Sequence, residues 1–326
     1  QQLNRAGHIV TVYEKSDRIG GLLRLGIPDF KLGKDVVQRR VDQMEQEGIT
    51  FLVNSYVGKN ISIDSIISKT DSVLLTGGST IPRNLDIKGR ELDGVHYAME
   101  FLTQQNILNS GDSLNDMKPI NAKGKNVIIL GGGDTGSDCL GTSLRQGAKS
   151  VYQLELLPQP PKQRKATDLW PNWPMVLRTS SSHEEGGERD YNILTKKFSG
   201  SNGKLEKLNG VRLKWGAPDE SGRPQMIEVS GSEFEMDADL VLLAMGFIHP
   251  EHEGMLKDLS LELDPRGNVK TDVNKMTNIS GIFAAGDMVR GQSLVVWALA
   301  EGREAARGVD QYLMGKSNLP KSASTY

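Results

Sequence analysis

Six consecutive positions, Gly131-Gly132-Gly133-Asp134-Thr135-Gly136, hold the residue types that grip a diphosphate. They follow an apolar run, Lys125-Asn126-Val127-Ile128-Ile129-Leu130, and lead into a helical pattern from Thr135 to Gln146, closed by Gly147. In a strand–turn–helix of this kind, a dinucleotide's diphosphate is held by free backbone N–H groups at the helix start and by the partial positive charge there. Each glycine has its own role. Gly131 makes the tight turn, Gly133 lets the backbone approach the diphosphate, and Gly136 lets the helix pack close to the strand. The next strand, Ser150 to Leu156, carries Glu155, 19 residues beyond Gly136. An acid about 20 residues on is the expected acceptor for a ribose 2′-hydroxyl. A carboxylate repels a 2′-phosphate, and its neighbours Leu154, Leu156, Leu157 and Pro158 carry no charge, so the pattern favours NADH over NADPH. Lys162, Arg164 and Lys165 are the nearest cations. Gly246, closing the apolar strand Asp239–Met245, is assigned to the same site.

A second dinucleotide site is present in pieces. Glu14 ends the strand His8–Glu14 as Glu155 ends its own, and the Gly-rich loop Ile19-Gly20-Gly21-Leu22-Leu23 follows. Near the other end, the strand Gly281–Ala285 runs into Gly286-Asp287, with a helix opening at about Ser293-Leu294-Val295. This arrangement resembles the C-terminal flavin motif of flavoproteins with two dinucleotide-binding domains. The resemblance implies that the Asp287 carboxylate bonds a flavin ribityl chain. It also implies that the helix N-terminus faces the flavin ring, where it would stabilise negative charge.

These positions need elements to hold them, and the hydrophobic pattern supplies three blocks: 1–115, 116–247 and 248–326. The first reads as a helix tail over Gln1–Gly7, the strand 8–14, a helix from Gly33 to Glu47, and strands at Ile49–Val53 and Ser72–Leu75, with 80–95 as a connection. The second adds an irregular Pro- and Trp-rich stretch, Leu157–Arg178, and an antiparallel pair, Val211–Trp215 with Met226–Ser230. The third ends in a helix over about Leu294–Leu313. Strands alternating with helices predict a parallel α/β architecture. The chain opens in the middle of a pattern and without methionine. A strand and a G-x-G-x-x-G turn are therefore expected within about 30 residues upstream of Gln1.

Composition excludes some classes. A net charge of −2 over 326 residues provides no basic field for nucleic acid or an anionic membrane. The longest apolar stretch, Leu240–Ile248, falls short of the ~18 residues a membrane helix requires. The single cysteine, Cys139, rules out an internal disulfide or an all-cysteine cluster within the chain and points to a reducing, intracellular compartment. It reads as a packed thiol. His183-Glu184-Glu185 has no second histidine near it and reads as a solvated loop rather than a metal site.

Taken together, Glu14–Pro28, Phe30-Lys31-Leu32, Gly131–Asp138, Ser143–Ala148, Ala284–Asp287 and Gln292–Ala298 resemble the small (beta) subunit of glutamate synthase, within the pyridine nucleotide-disulfide oxidoreductase superfamily. Leu154–Pro161 and Trp170-Pro171-Asn172-Trp173-Pro174 are similar to the beta-like C-terminal region of the NADH-dependent enzymes. The resemblance implies two Rossmann-like dinucleotide-binding domains of the FAD/NAD(P)-binding, adrenodoxin-reductase-like type, the first lacking its N-terminal strand and glycine turn. It implies FAD at Glu14, Gly20, Gly21, Leu22, Gly286, Asp287, Ser293, Leu294 and Val295. NADH (or NADPH) falls at Gly131–Gly136, Glu155 and Gly246. Electrons would pass from NADH to FAD, then to iron–sulfur clusters and FMN in missing or partner regions. The implied partner is the glutamate synthase large (alpha) subunit or a fused large region, in the cytoplasm or a plastid. No catalytic side chain is assigned, since hydride transfer requires no acid or base. Two other readings stand beside this one. The same module could serve a dihydropyrimidine dehydrogenase-like or ferredoxin-linked partner, or the chain could be a truncated, non-catalytic NAD(P)-binding fragment. The two tryptophans, Trp170 and Trp173, fit either an interface to the large subunit or loop packing.

Overall fold

The computed structural model describes residues 1–165, 176–219, 222 and 224–321. The segment Trp170–Pro174 thus lies outside the described residues. In chain order the strands are β1 (Thr11–Tyr13), β2 (Thr50–Leu52), β3 (Val73–Leu75), β4 (Val95–Tyr97), β5 (Asn126–Leu130), β6 (Ser150–Glu155), β7 (Glu188–Tyr191), β8 (Ile193–Ser201), β9 (Lys204–Pro218), β10 (Pro224–Glu228), β11 (Phe234–Asp237), β12 (Leu240–Leu243) and β13 (Ile282–Ala284). The helices are α1 (Gln2–Arg5), α2 (Gly21–Leu25), α3 (Lys34–Gln46), α4 (Ile63–Ile67), α5 (Ala98–Asn109), α6 (Asp134–Arg145), α7 (Ser181–Glu184), α8 (Met255–Asp258), α9 (Asp287–Arg290) and α10 (Val295–Met314).

The chain divides into two compact units. One comprises 1–24, 33–83 and 247–326; the other comprises 25–32 and 84–246. The first boundary therefore falls at Arg83 rather than near 115. Segment 84–115 joins the second unit because β4 pairs in parallel with β12 of that unit's sheet, and α5 packs Phe101 and Leu102 into its core.

The second unit is built on a five-stranded sheet of order β4-β12-β5-β6-β7, parallel throughout. Val127, Ile128 and Ile129 of the central strand are fully buried. Their side chains alternate between two cores. Val127 and Ile129 meet Phe101, Cys139 and Leu140 on one face, and Ile128 and Leu130 meet Ile193, Phe198 and Leu208 on the other. A strand buried on both faces reads as a continuous apolar run, which is how it stands in the sequence. Burial pushes the Cys139 thiol well above its ordinary range, consistent with a packed side chain.

An antiparallel sheet, β10-β9-β11 with β8 also on β9, belongs to the same unit. The expected pair appears as Met226 opposite Trp215 and Glu228 opposite Leu213. The β8–β9 hairpin turns on Asn202 (φ 50°) and Gly203 (φ 74°), the left-handed pair that a two-residue hairpin demands.

The first unit holds two separate parallel pairs, β1 with β2 and β3 with β13. Its core gathers Leu75, Leu256, Val269, Ile282, Ala284 and Met288. Its two long helices, α3 and α10, start and stop within a residue of expectation, with Gly33 and Leu294 as their N-caps, whereas the expected loop at 19–23 runs into the short helix α2. No described helix is long and apolar enough to cross a membrane.

Candidate functional site

The order of the parallel sheet reverses at β5: the chain moves to β6 on one side and returns through β12 on the other. Open α/β sheets bind ligands at such a switch point, outside the carboxyl ends of the strands. Gly131 leaves β5 at that place with φ 127°, a conformation that favours glycine. A Cβ on it would stand 2.3 Å from the Ala244 carbonyl oxygen, just past the end of β12. One on Gly136 would stand 2.3 Å from the Gly131 carbonyl oxygen. These two glycines let the turn and helix pack against the sheet. Gly133 differs: a Cβ there meets nothing within 4 Å. It is the exposed N-cap of α6, with no side-chain cap. The first-turn amides of α6, at Asp134, Thr135 and Gly136, have no intrahelical acceptor. Gly246, φ 80°, follows β12 by three residues.

Glu155 ends β6 beside this turn. Its Oε2 accepts the Gly132 N–H at 2.6 Å and its Oε1 accepts the Leu157 N–H at 3.0 Å. The carboxylate is thus aimed at the glycine turn. Gln153, two residues earlier on β6 and 2 % exposed, donates to the Gly131 carbonyl at 2.8 Å. Its own carbonyl oxygen is 2.8 Å from His183 Nε2. His183 is therefore not a solvated loop residue: it sits on α7, half-buried, in hydrogen-bond contact with Gln153 and Ser180. Burial first, then Arg189 and Lys31, hold its pKa down at about 4, so the ring is neutral at ordinary pH. Gln153 and His183 are contacts of the glycine turn that the motif alone did not reveal.

In the first unit, Glu14 follows β1 and its Oε1 accepts the Ser16 N–H at 2.8 Å. Gly20 has φ 132°, and its loop is fastened by Arg24, whose Nε donates to the Ile19 carbonyl at 2.6 Å. Gly21 opens α2, and Leu22 is exposed. Gly286 (φ 75°) caps α9, which Asp287 begins. Burial raises the Asp287 carboxyl above its usual range, against hydrogen bonds from Ser293 that lower it. The Ser293 hydroxyl donates to Asp287 Oδ1 at 3.2 Å, tying the Gly-Asp turn to the start of α10, where Leu294 and the exposed Val295 follow. Beneath the turn, the buried Glu301 accepts the Gly286 N–H at 3.0 Å and the Arg290 Nε–H at 3.1 Å. Glu301 was not singled out in the sequence. Its signal is its position on the helix directly after the motif. Among the described residues no group of His, Cys, Asp or Glu is arranged to hold a metal ion.

Comparison with known proteins decides the family. Residues 192–302 match the family model "Pyridine nucleotide-disulphide oxidoreductase". The chain is 51% identical over 323 residues to the glutamate synthase [NADPH] small chain of Mycobacterium tuberculosis, covering 98% of this chain and 65% of that one. It is 38% identical to a putative glutamate synthase [NADPH] small chain of Cereibacter sphaeroides, covering 95% of this chain and 73% of that one. The chain belongs to the glutamate synthase small-chain family. Within this family it also aligns, at 47% identity and over 98% of its own length, with 16% of the glutamate synthase [NADH] of Schizosaccharomyces pombe. The chain thus spans less than two thirds of the M. tuberculosis relative and about a sixth of the S. pombe one. In fold it is similar to the M. tuberculosis FprA structure in complex with NADPH, at TM-score 0.72 and 17% identity, over all of this chain and 84% of that one.

Proposed function

We propose that this chain is the electron-input module of an NADH-dependent glutamate synthase. A reduced nicotinamide dinucleotide enters at Gly131–Gly136, with its diphosphate on the uncapped start of α6 and its adenosine ribose on Glu155. The observation that carries this reading is the Glu155 carboxylate at the glycine turn, 2.6 Å from the Gly132 amide, with no cation beside it on β6. That carboxylate accepts ribose hydroxyls and repels a 2′-phosphate. The relatives' names divide between NADPH and NADH, so the preference for NADH rests on Glu155.

The first unit's residues fit parts of a flavin dinucleotide. Glu14 at a strand end suits a ribose, the half-buried Asp287 suits ribityl hydroxyls, and the twenty-residue α10 presents its N-terminus beyond Ser293. Among the described residues this unit has no turn of the Gly131–Gly136 kind. Held by these residues, FAD would supply a hydride acceptor for the nicotinamide and a single-electron donor to iron–sulfur clusters and FMN carried by a partner. Each unit's residues would hold and orient their own dinucleotide, and a hydride step requires no acid or base. In the whole enzyme those electrons would serve L-glutamate formation from glutamine and 2-oxoglutarate, with the large subunit or a fused large region as partner.

The purified protein tests this reading. It is expected to carry flavin absorbance and to reduce an artificial dye with NADH. A colourless protein that binds NADH without reducing the dye would instead support a non-catalytic dinucleotide-binding fragment.

A further inference from the structure

The peptide plane between Gly131 and Gly132 is held from both sides. In a trans peptide the C=O and N–H point in opposite directions. Here the Gly131 carbonyl points in toward Gln153 at 2.8 Å, and the Gly132 N–H points out toward Glu155 at 2.6 Å. With glycine on each side, this plane can turn over at little steric cost, because neither residue has a Cβ to resist it. Such a flip would replace an outward N–H with an outward carbonyl, a dipole that repels a diphosphate and the Glu155 carboxylate alike. Something other than backbone sterics must therefore set the direction.

The hydrogen bonds run one way. The Ser180 backbone N–H can only donate, and it donates to His183 Nδ1 at 3.1 Å. That fixes the ring proton on Nε2, which donates to Gln153 Oε1 at 2.8 Å. The Gln153 amide nitrogen is then left to donate to the Gly131 carbonyl, which can only accept. The relay starts and ends on backbone groups, so the tautomer and the amide orientation are both determined. Its far end is anchored to the nucleotide helix itself. The Ser180 hydroxyl is 2.5 Å from that of Ser137 in the first turn of α6, and a Cβ on Gly141 of α6 would stand 2.7 Å from Ser182 Oγ on α7.

We propose that His183 is a positioning residue for the nucleotide turn, acting through Gln153 to keep the Gly131–Gly132 peptide facing so that its N–H stays on Glu155 and its carbonyl stays turned away from the ligand side. The inference rests on the reading of this turn as a reduced-nicotinamide dinucleotide site. An imidazolium could not serve, since its Nδ1–H would oppose the Ser180 N–H. The charged groups around the ring are Lys31 and Arg189, with Arg145, Glu184, Glu185, Glu188, Asp134 and Asp138 on the helices and strand about it. The two named cations add to burial in keeping the ring neutral.

The test is calorimetric titration of the full chain with NADH at pH 7.5, with melting temperatures measured alongside. His183→Ala is expected to weaken binding by about tenfold, the loss of one well-placed hydrogen bond. His183→Gln, whose amide can still donate toward Gln153, is expected to recover most of it. A purely structural role would lower the melting temperature of both variants and leave the affinity of the folded protein unchanged. Should His183→Ala not fold, Gln153→Met, of similar volume, removes the last link and is expected to show the same loss. Wild-type affinity in His183→Ala or in Gln153→Met overturns the proposal. Failure of the wild type to bind NADH at all would instead overturn the reading of the site.

Discussion

Gly133→Ala is expected to weaken NADH binding by about 10- to 100-fold while leaving the melting temperature unchanged. The asymmetry follows from where the added methyl would stand. Within the protein a Cβ at Gly133 meets nothing within 4 Å, and the residue has φ −81°, which alanine adopts freely. The only crowding is with a ligand drawn up to the first amides of α6, where one or two charge-assisted hydrogen bonds would be stretched or lost, each worth roughly 1.5–3 kcal/mol. Gly136→Ala gives the contrasting outcome. Its Cβ would lie 2.3 Å from the Gly131 carbonyl oxygen and 2.4 Å from Gln153 Nε2. The backbone oxygen cannot retreat without moving the turn. Alanine's advantage over glycine inside a helix is only about 1 kcal/mol, and overpacking of this kind costs about 1–3 kcal/mol. Gly136→Ala is therefore expected to lose affinity and also melt lower, by roughly 2–4 °C per kcal/mol in a domain of this size. Thermal melts and NADH titrations of both variants check the pair. Equal affinity in wild type and Gly133→Ala would mean that the diphosphate does not lie on this turn.

Glu155→Ala is expected to lower the preference for NADH over NADPH by at least about tenfold, from both directions. NADH loses a charged acceptor for its ribose hydroxyls, and NADPH is relieved of a carboxylate facing its 2′-phosphate. Part of the NADH loss has another source. Glu155 also accepts the Gly132 N–H, and its removal frees one side of that peptide. The ratio of the two dissociation constants separates these effects, because loosening the peptide weakens both nucleotides equally. An unchanged ratio in Glu155→Ala would place the ribose elsewhere.

Both effects were legible in the sequence because they depend on short-range patterns. Strand, glycine turn, helix and acid follow one another within about thirty residues, and each feature follows from backbone geometry. Other parts were hidden for identifiable reasons. Helix α5 buries Gln104 and Asn106 among its apolar residues. Gln104 bonds Lys118 and Ile120, and Asn106 bonds the Leu25 carbonyl, so the buried face does not read as apolar. In β9, Leu205 and Leu208 are both buried although three residues apart. A register shift between Ser199 and Gly200 of β8 turns them to one side, which defeats a search for strict alternation. The clue to this hairpin in the sequence is the Asn202-Gly203 pair, whose left-handed backbone closes the turn. His183 reads as a loop residue in the sequence because its partners, Gln153 and Ser180, come together with it only once β6 and α7 lie side by side. The flavin-side residues show the same limit. Asp287 was visible as Gly-Asp after a strand, whereas Glu301 gains its meaning from the close approach of α10 to that turn.

The central claim is that Gly131–Gly136 and Glu155 form one site selective for NADH. Parallel calorimetric titrations of the chain with NADH and NADPH test it most directly. The account predicts saturable binding of both, tighter for NADH, with NADH binding much weakened in Gly133→Val. Equal or tighter binding of NADPH would contradict the role given to Glu155, and no binding of either nucleotide, or an unaffected Gly133→Val, would contradict the site itself.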